Sequence, residues 1–228
     1  MSKDKRDAAA PSNNWPAYIL AALLATLAGF FAVYVNSWSN GNRDAETSLT
    51  PPLRRAPAST AGEGPLAGLN RGDMATFLIH RVPRDVPPVT FSNDKGARVS
   101  LGDWRGKVVL LNLWATWCQP CLKEMPALDR LKAELGGENF DVIAISVDRG
   151  GIEKPRKFLQ KIKAENLALY HDDSGKLTAK LKVVGMPTTL LIDAKGREIG
   201  RLAGPAEWDS SDAVALLRAA VSAGPAAP

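Results

Sequence analysis

Two cysteines, Cys118 and Cys121, stand three positions apart in the stretch LLNLWATWCQPCLKEMPAL, and the chain has no others. They fall between an apolar run and a segment with helical character. Pro120 fits the first turn of a helix, where no intrahelical partner for its nitrogen is needed. Cys118 is then expected at or just before the helix start and Cys121 within its first turn. Free backbone donors and the helix dipole favour an anion at that end, which depresses the pKa of a thiol. A thiolate at Cys118 can attack a disulfide, and Cys121 is close enough to resolve the mixed disulfide. A purely structural bridge is the weaker reading, because closing so short a loop removes little unfolded-state entropy. Structural zinc needs four ligands, and no second Cys or His pair is present. A Cu(I)-binding pair stays open, since soft thiolates suit that ion.

The neighbours of the cysteines carry further chemistry. Glu124, three residues after Cys121, lies on the same side of the expected helix. A partly buried carboxylate there could take or return a proton as Cys121 cycles between thiol and thiolate. An acid favoured by the helix dipole is an equally good local reason for it. Asn112, six before Cys118, is a polar residue inside the apolar run and cannot titrate. Pro126 removes a helix bond and crowds the carbonyl of Leu122.

These residues need a scaffold. VVLLNLW, Val108 to Trp114, reads as a strand covered on both faces. A helix is predicted from about Gln119 to Leu135, stopped by Gly136-Gly137. FDVIAISV, Phe140 to Val147, is a second buried strand, which implies a parallel neighbour reached through a crossover. PVTFSNDKGARVSL predicts a hairpin turning at Asn93-Asp94-Lys95-Gly96, and TTLLIDAKGREIGRLAG another at Ala194-Lys195-Gly196. A helix near Lys154 to Ala164, a short strand near Leu167 to Tyr170 and a helical turn near Leu177 to Leu181 lie between them. SSDAVALLRAAV is a closing helix with Ser210 or Ser211 as its cap. A short helix is expected to open the folded part near Leu66 to Phe77. The fold class is α/β, helices around a mixed sheet.

Ala17 to Val35 reads AYILAALLATLAGFFAVYV, without a charge. As a helix it would be about 28 Å long, close to the thickness of a bilayer core. Trp15, Tyr18, Tyr34 and Trp38 suit the two interfacial belts. The expected division is a cytoplasmic stretch 1–16, a transmembrane signal-anchor 17–37, a flexible linker 38–65 rich in Ser, Thr, Pro, Ala and Gly, and a folded domain 66–228. Lys3, Lys5 and Arg6 before the segment favour a cytoplasmic amino terminus, which puts the domain on the far side. The net charge is +5, yet the basic residues do not interleave with aromatics as nucleic-acid surfaces require. Lys154, Arg156, Lys157, Lys161 and Lys163 read as the solvated face of an amphipathic helix. His80 and His171 are isolated in sequence, so ordinary surface or core placement is expected for both.

WATWCQPCLKEMPAL with GMPTTLLID downstream resembles the membrane-anchored, TlpA-like branch of the thioredoxin superfamily, over roughly Val89 to Val221. GPAEW, Gly204 to Trp208, is closer to the TlpA type than to the reductases of cytochrome c maturation, which belong to the same branch. The resemblance implies a thioredoxin fold with an amino-terminal hairpin extension and a single transmembrane anchor. It implies that Cys118 is the nucleophile and Cys121 the resolving thiol of a redox disulfide, and that Glu124 handles protons. Pro187 would be the cis-proline facing the cysteines, with Trp117, Met186 and Thr188 bordering the protein substrate. Asn112 occupies the place where general thioredoxins bury an aspartate, so that proton relay is absent.

Direction follows from Gln119-Pro120. Strong oxidants of the superfamily place Pro-His between the cysteines, and glutamine cannot supply the positive charge. The expected activity is therefore that of a protein-disulfide reductant, a monomer in the bacterial inner membrane with its catalytic domain in the periplasm and a transmembrane thiol donor. By resemblance its substrates are the cysteines of a copper chaperone and of the copper-site subunit in cytochrome oxidase assembly. Apocytochrome c is the alternative client, and a non-catalytic copper-binding adaptor the alternative class. No cofactor, resident metal or nucleic acid is expected.

Overall fold

The computed structural model describes residues 64–172 and 174–224. The expected cytoplasmic stretch, anchor and nearly all of the linker lie outside the described residues. Among the described residues, no helix is long and apolar enough to cross a membrane. Eight strands form one sheet: β1 (Leu78–Asp85), β2 (Thr90–Asn93), β3 (Arg98–Ser100), β4 (Val108–Trp114), β5 (Phe140–Ser146), β6 (Tyr170–His171), β7 (Thr188–Ile192) and β8 (Arg197–Ala203). Among the described residues four α-helices accompany them: α1 (Gln119–Leu135), α2 (Glu153–Lys161), α3 (Leu177–Lys180) and α4 (Ser211–Ser222).

The strand order is β1-β8-β7-β4-β5-β6-β2-β3. β4 pairs in parallel with β5 and antiparallel with β7, so the sheet is mixed. All seven residues of β4 are buried, and strand alternation sends them to opposite faces. Val108, Leu110 and Trp114 join one core cluster with Met125, Leu128 and Leu131 of α1 and Leu216 and Leu217 of α4. Val109, Leu111 and Leu113 join the other, with Phe91, Leu177 and Leu181. Asn112 shares the parity of Leu110 and Trp114, so its amide enters the face covered by α1.

Both expected hairpins form: β2 with β3, and β7 with β8. The first is part of the sheet, joined to it through β6. Ser210 caps α4, its hydroxyl accepting from the N–H of Ala213 at 3.3 Å. His80 and His171 are both buried. His80 of β1 donates to Glu198 of β8 at 2.7 Å, and Arg201 pairs with the same carboxylate at 2.6 Å. Burial pushes the Glu198 carboxyl up, but the bonds from Arg201 and His80 outweigh it and leave it below its ordinary value.

Two expectations are corrected. Leu66 to Phe77 is not a helix; it holds turns and one 3-10 turn at Gly72–Met74. Gly68 and Gly72 interrupt it with φ of 72° and 51°, in the left-handed region that breaks a helix. Met74 and Phe77 are nevertheless buried, so the segment serves as a plug under the sheet. The strand expected from Leu167 begins only at Tyr170. Leu167 and Leu169 are buried apolar residues of the preceding loop.

Candidate active site

β4 delivers the chain to the cysteines at the carboxyl end of the parallel pair. The N–H of Cys118 donates to Ala115 O at 3.1 Å, closing a turn, and α1 then starts at Gln119 with Pro120 in its first turn. Cys118 is the N-cap. Its Sγ accepts from the N–H of Cys121 at 3.3 Å. This places sulfur where an unfilled backbone donor and the positive end of the helix converge. Cys118 and Cys121 are joined as a disulfide with an S–S distance of 2.05 Å. Cys121 is 0% exposed and Cys118 5%, so an incoming sulfur can reach only Cys118.

Glu124 lies one turn past Cys121 on α1, on the buried side with Met125 and Leu128. Asn112 Nδ2 donates to Glu124 Oε1 at 2.8 Å and to Thr189 Oγ1 of β7 at 2.9 Å. Glu124 Oε2 accepts from the backbone N–H of Ala206 and from Trp208 Nε1, both at 3.2 Å. Burial raises the Glu124 carboxyl from an ordinary 4.5 to about 7, against the pull of bonds from Asn112, Ala206 and Trp208. The charge of Glu207 adds to the rise. A carboxyl held near neutrality, one turn from a buried thiol, suits proton exchange.

The loop Ala115 to Trp117 is clamped from β5. Asp148 Oδ2 accepts from the N–H of Thr116 at 2.9 Å, and Oδ1 from the Thr116 hydroxyl at 2.5 Å. Ser146 Oγ donates to the same carboxylate at 2.9 Å, and His171 Nε2 donates to the Asp148 carbonyl at 2.8 Å. Trp117 is left 63% exposed. Packing against the helix does not cover this indole.

Met186–Pro187 is cis. The antiparallel register Leu113↔Thr188 places Pro187 beside Trp114, at the sheet end where the cysteine loop begins. Met186 packs against the cluster containing both cysteines. Thr188 is buried and its hydroxyl donates to Gly185 O at 2.6 Å, so the side chain braces the proline loop and does not face outward. Asn112, the non-titrating polar residue of the apolar run, is hydrogen-bonded to the Glu124 carboxylate. Thr189, Asp148, Ala206 and Trp208 were not picked out as site residues from sequence. GPAEW is the sequence signal for the last two and GMPTTLLID contains Thr189, whereas Asp148 has none. Among the described residues, no cluster of three or more His, Cys, Asp or Glu could hold a metal ion.

A model of the AhpC/TSA family matches residues 82–197. The thiol-disulfide oxidoreductase ResA of Bacillus thuringiensis subsp. konkukian is 29% identical over 123 residues, covering 54% of this chain and 70% of that protein. The thioredoxin-like protein YneN of Bacillus subtilis is 34% identical over 116 residues, covering 50% of this chain and 66% of that protein. A Chlorobium tepidum protein described as a thiol:disulfide interchange protein DsbE superposes with a TM-score of 0.55 at 29% identity, over 61% of this chain and 96% of that one. The fold is thioredoxin-like, the similar proteins include thiol-disulfide oxidoreductases, and this chain carries its own disulfide-linked Cys-x-x-Cys pair, Cys118 and Cys121.

Proposed function

This chain belongs to the AhpC/TSA family as a thiol-disulfide oxidoreductase, and from that premise we propose that it works as a protein-disulfide reductant. The observation that carries the proposal is the setting of Cys118. It caps α1 and receives the Cys121 N–H, while the residues between the cysteines are the uncharged, exposed Gln119 and Pro120. The helix end stabilises a thiolate, but no cation stands between the cysteines to hold the reduced pair as firmly as a strong oxidant requires.

In the reducing cycle the Cys118 thiolate attacks one sulfur of a substrate disulfide. A Cys118–substrate disulfide forms, the substrate S–S bond breaks, and one substrate thiolate leaves. Cys121 gives its proton to Glu124, and its thiolate then attacks Cys118 Sγ and releases the second substrate thiolate. The Cys118–Cys121 disulfide forms, and two electrons have passed from the protein to the substrate. A dithiol donor restores the pair by the same exchange in reverse.

The setting we favour is the outer face of a bacterial inner membrane, with residues 17–37 as anchor and a transmembrane thiol donor. The charge-free span and the basic residues ahead of it support this reading. The clients we favour are cysteines that receive copper in cytochrome oxidase assembly, namely those of a copper chaperone and of the copper-site subunit. GPAEW supports this choice, because it supplies Ala206 and Trp208 to Glu124 and is the segment that resembles the TlpA type. Cys121→Ser tests function and client together. It should leave the attacking Cys118 and trap mixed disulfides in cells. Recovery of apocytochrome c without a copper protein would overturn the client choice, and absence of any mixed disulfide would overturn the reductant reading.

A further inference from the structure

A cleft of about 540 Å³ opens beside the cysteine loop, lined by Thr116, Trp117, Val147, Asp148, Arg149 and Lys154. Its volume falls in the range of sites that take up a small molecule or a group of comparable size. The walls are rigid on one side. The Thr116–Asp148–Ser146 bonds fix the loop to the end of β5, and Asp148 is 4% exposed. The Asp148 carboxylate oxygens accept from the Thr116 and Ser146 donors, so the cleft lining carries one acid, held in the clamp, beside its two cations.

The cations of the cleft are differently placed. Arg130, Lys132, Arg156, Arg197, Arg201 and Arg218 each hold an acidic partner. Neither Arg149 nor Lys154 holds one among the described residues. Lys154 is exposed, as expected of the solvated face of α2, and it also lines the cleft. Two cations without an acidic partner among the described residues therefore line the same cleft as the exposed Trp117, the residue preceding Cys118.

We propose that this cleft receives an acidic side chain of the substrate polypeptide, one close in sequence to the cysteine that Cys118 attacks. The inference rests on the disulfide-exchange reading above and adds a selectivity to it. Trp117 supplies a flat apolar surface for the substrate backbone or an aliphatic stem, and Arg149 and Lys154 supply the charge. The occupant fits by charge complementarity: a carboxylate meets two cations without partners, while a basic side chain meets like charge.

The test uses the full-length reduced chain and cyclic-disulfide peptides that are identical except for Glu, Gln or Lys at positions flanking one cysteine. At low ionic strength, Glu at one or more of these positions should accelerate reduction about tenfold over Gln, with the advantage shrinking as salt rises. In Arg149→Gln/Lys154→Gln the Glu-to-Gln ratio should fall to about one. In Arg149→Glu/Lys154→Glu the Lys peptide should become the preferred one. Lys157→Gln/Lys161→Gln removes the same net charge from α2 and should keep the wild-type ratio. Equal rates for Glu and Gln at every position would overturn the proposal. So would a ratio that survives in the cleft variant, or one that the Lys157/Lys161 variant loses equally. Reduction of no peptide at all would overturn the exchange reading, and this inference with it.

Discussion

Asn112 donates a 2.8 Å hydrogen bond to the buried carboxylate of Glu124, tying the centre of β4 to the helix that carries both cysteines. Burial raises that carboxyl and the bond restrains the rise. The result is a group poised near neutrality, one turn from Cys121. Removing the acid, or placing a second acid against it, should change how the molecule responds to pH.

Glu124→Gln should remove a pH dependence of stability. The folded-state pKa is raised from 4.5 to about 7, so the folded protein holds a proton that the unfolded chain releases. Stability from this group is therefore fully present below about pH 4.5 and is lost as pH rises through 7. The full loss is of the order of 3 kcal/mol. Denaturant unfolding at pH 5 and pH 8 should show the variant gaining on the wild type as pH rises. A constant difference between the two proteins would refute the raised pKa.

Asn112→Asp should have the opposite character. Two carboxyl groups within hydrogen-bond distance cannot both ionise readily, so the pair should share one proton and titrate as a unit. The variant should lose stability more steeply than wild type between pH 6 and 8. Below about pH 5, where one or both groups are protonated, most of the difference should disappear. Calorimetric melting temperatures across this range measure it; parallel curves would argue against the contact.

Asp148→Ala leaves the Thr116 N–H and hydroxyl and the Ser146 hydroxyl without their acceptor. The expected cost is about 2–4 kcal/mol, from several unmet donors around a buried site. Faster amide exchange at Thr116 and Trp117 should accompany it, because the clamp on that loop is gone. Unchanged exchange there would show that other contacts hold the loop.

Gly200→Ala tests the packing of the opposite sheet edge. An added Cβ would stand 2.4 Å from Phe77 Cε1 and 2.8 Å from the carbonyl oxygen of Leu78. The phenyl ring is buried and the carbonyl belongs to the neighbouring strand, so neither can yield easily. Destabilisation of about 2–4 kcal/mol is expected by urea titration, with the cysteine potential unmoved.

Much of this architecture was legible because its signals are local. The apolar run Val108–Trp114 and the sequence Gln119-Pro120 gave β4 and the start of α1 directly. β1 was not legible. LIHRVPRD contains a proline and lacks clean alternation, as an edge strand with an irregular register permits. The glycine-broken plug ahead of it looked helical because Leu66, Met74 and Phe77 are apolar. At the site, the cysteines were readable from spacing; spacing also put Glu124 on the side of Cys121, while its proton role was favoured only through the family resemblance. The Asn112–Glu124 bond was not readable, since it depends on which face of β4 meets α1. Asp148 was hidden for a similar reason: it joins the loop only because β4 and β5 run parallel, with both carboxyl ends at one edge of the sheet.

The most direct test of the account is the equilibrium reduction potential of the Cys118–Cys121 couple in the full-length protein, measured against thiol buffers of defined poise. An uncharged Gln119-Pro120 pair at the N-cap predicts a reducing couple near the thioredoxin value of about −270 mV. A potential near −120 mV, that of a strong oxidant, would contradict it.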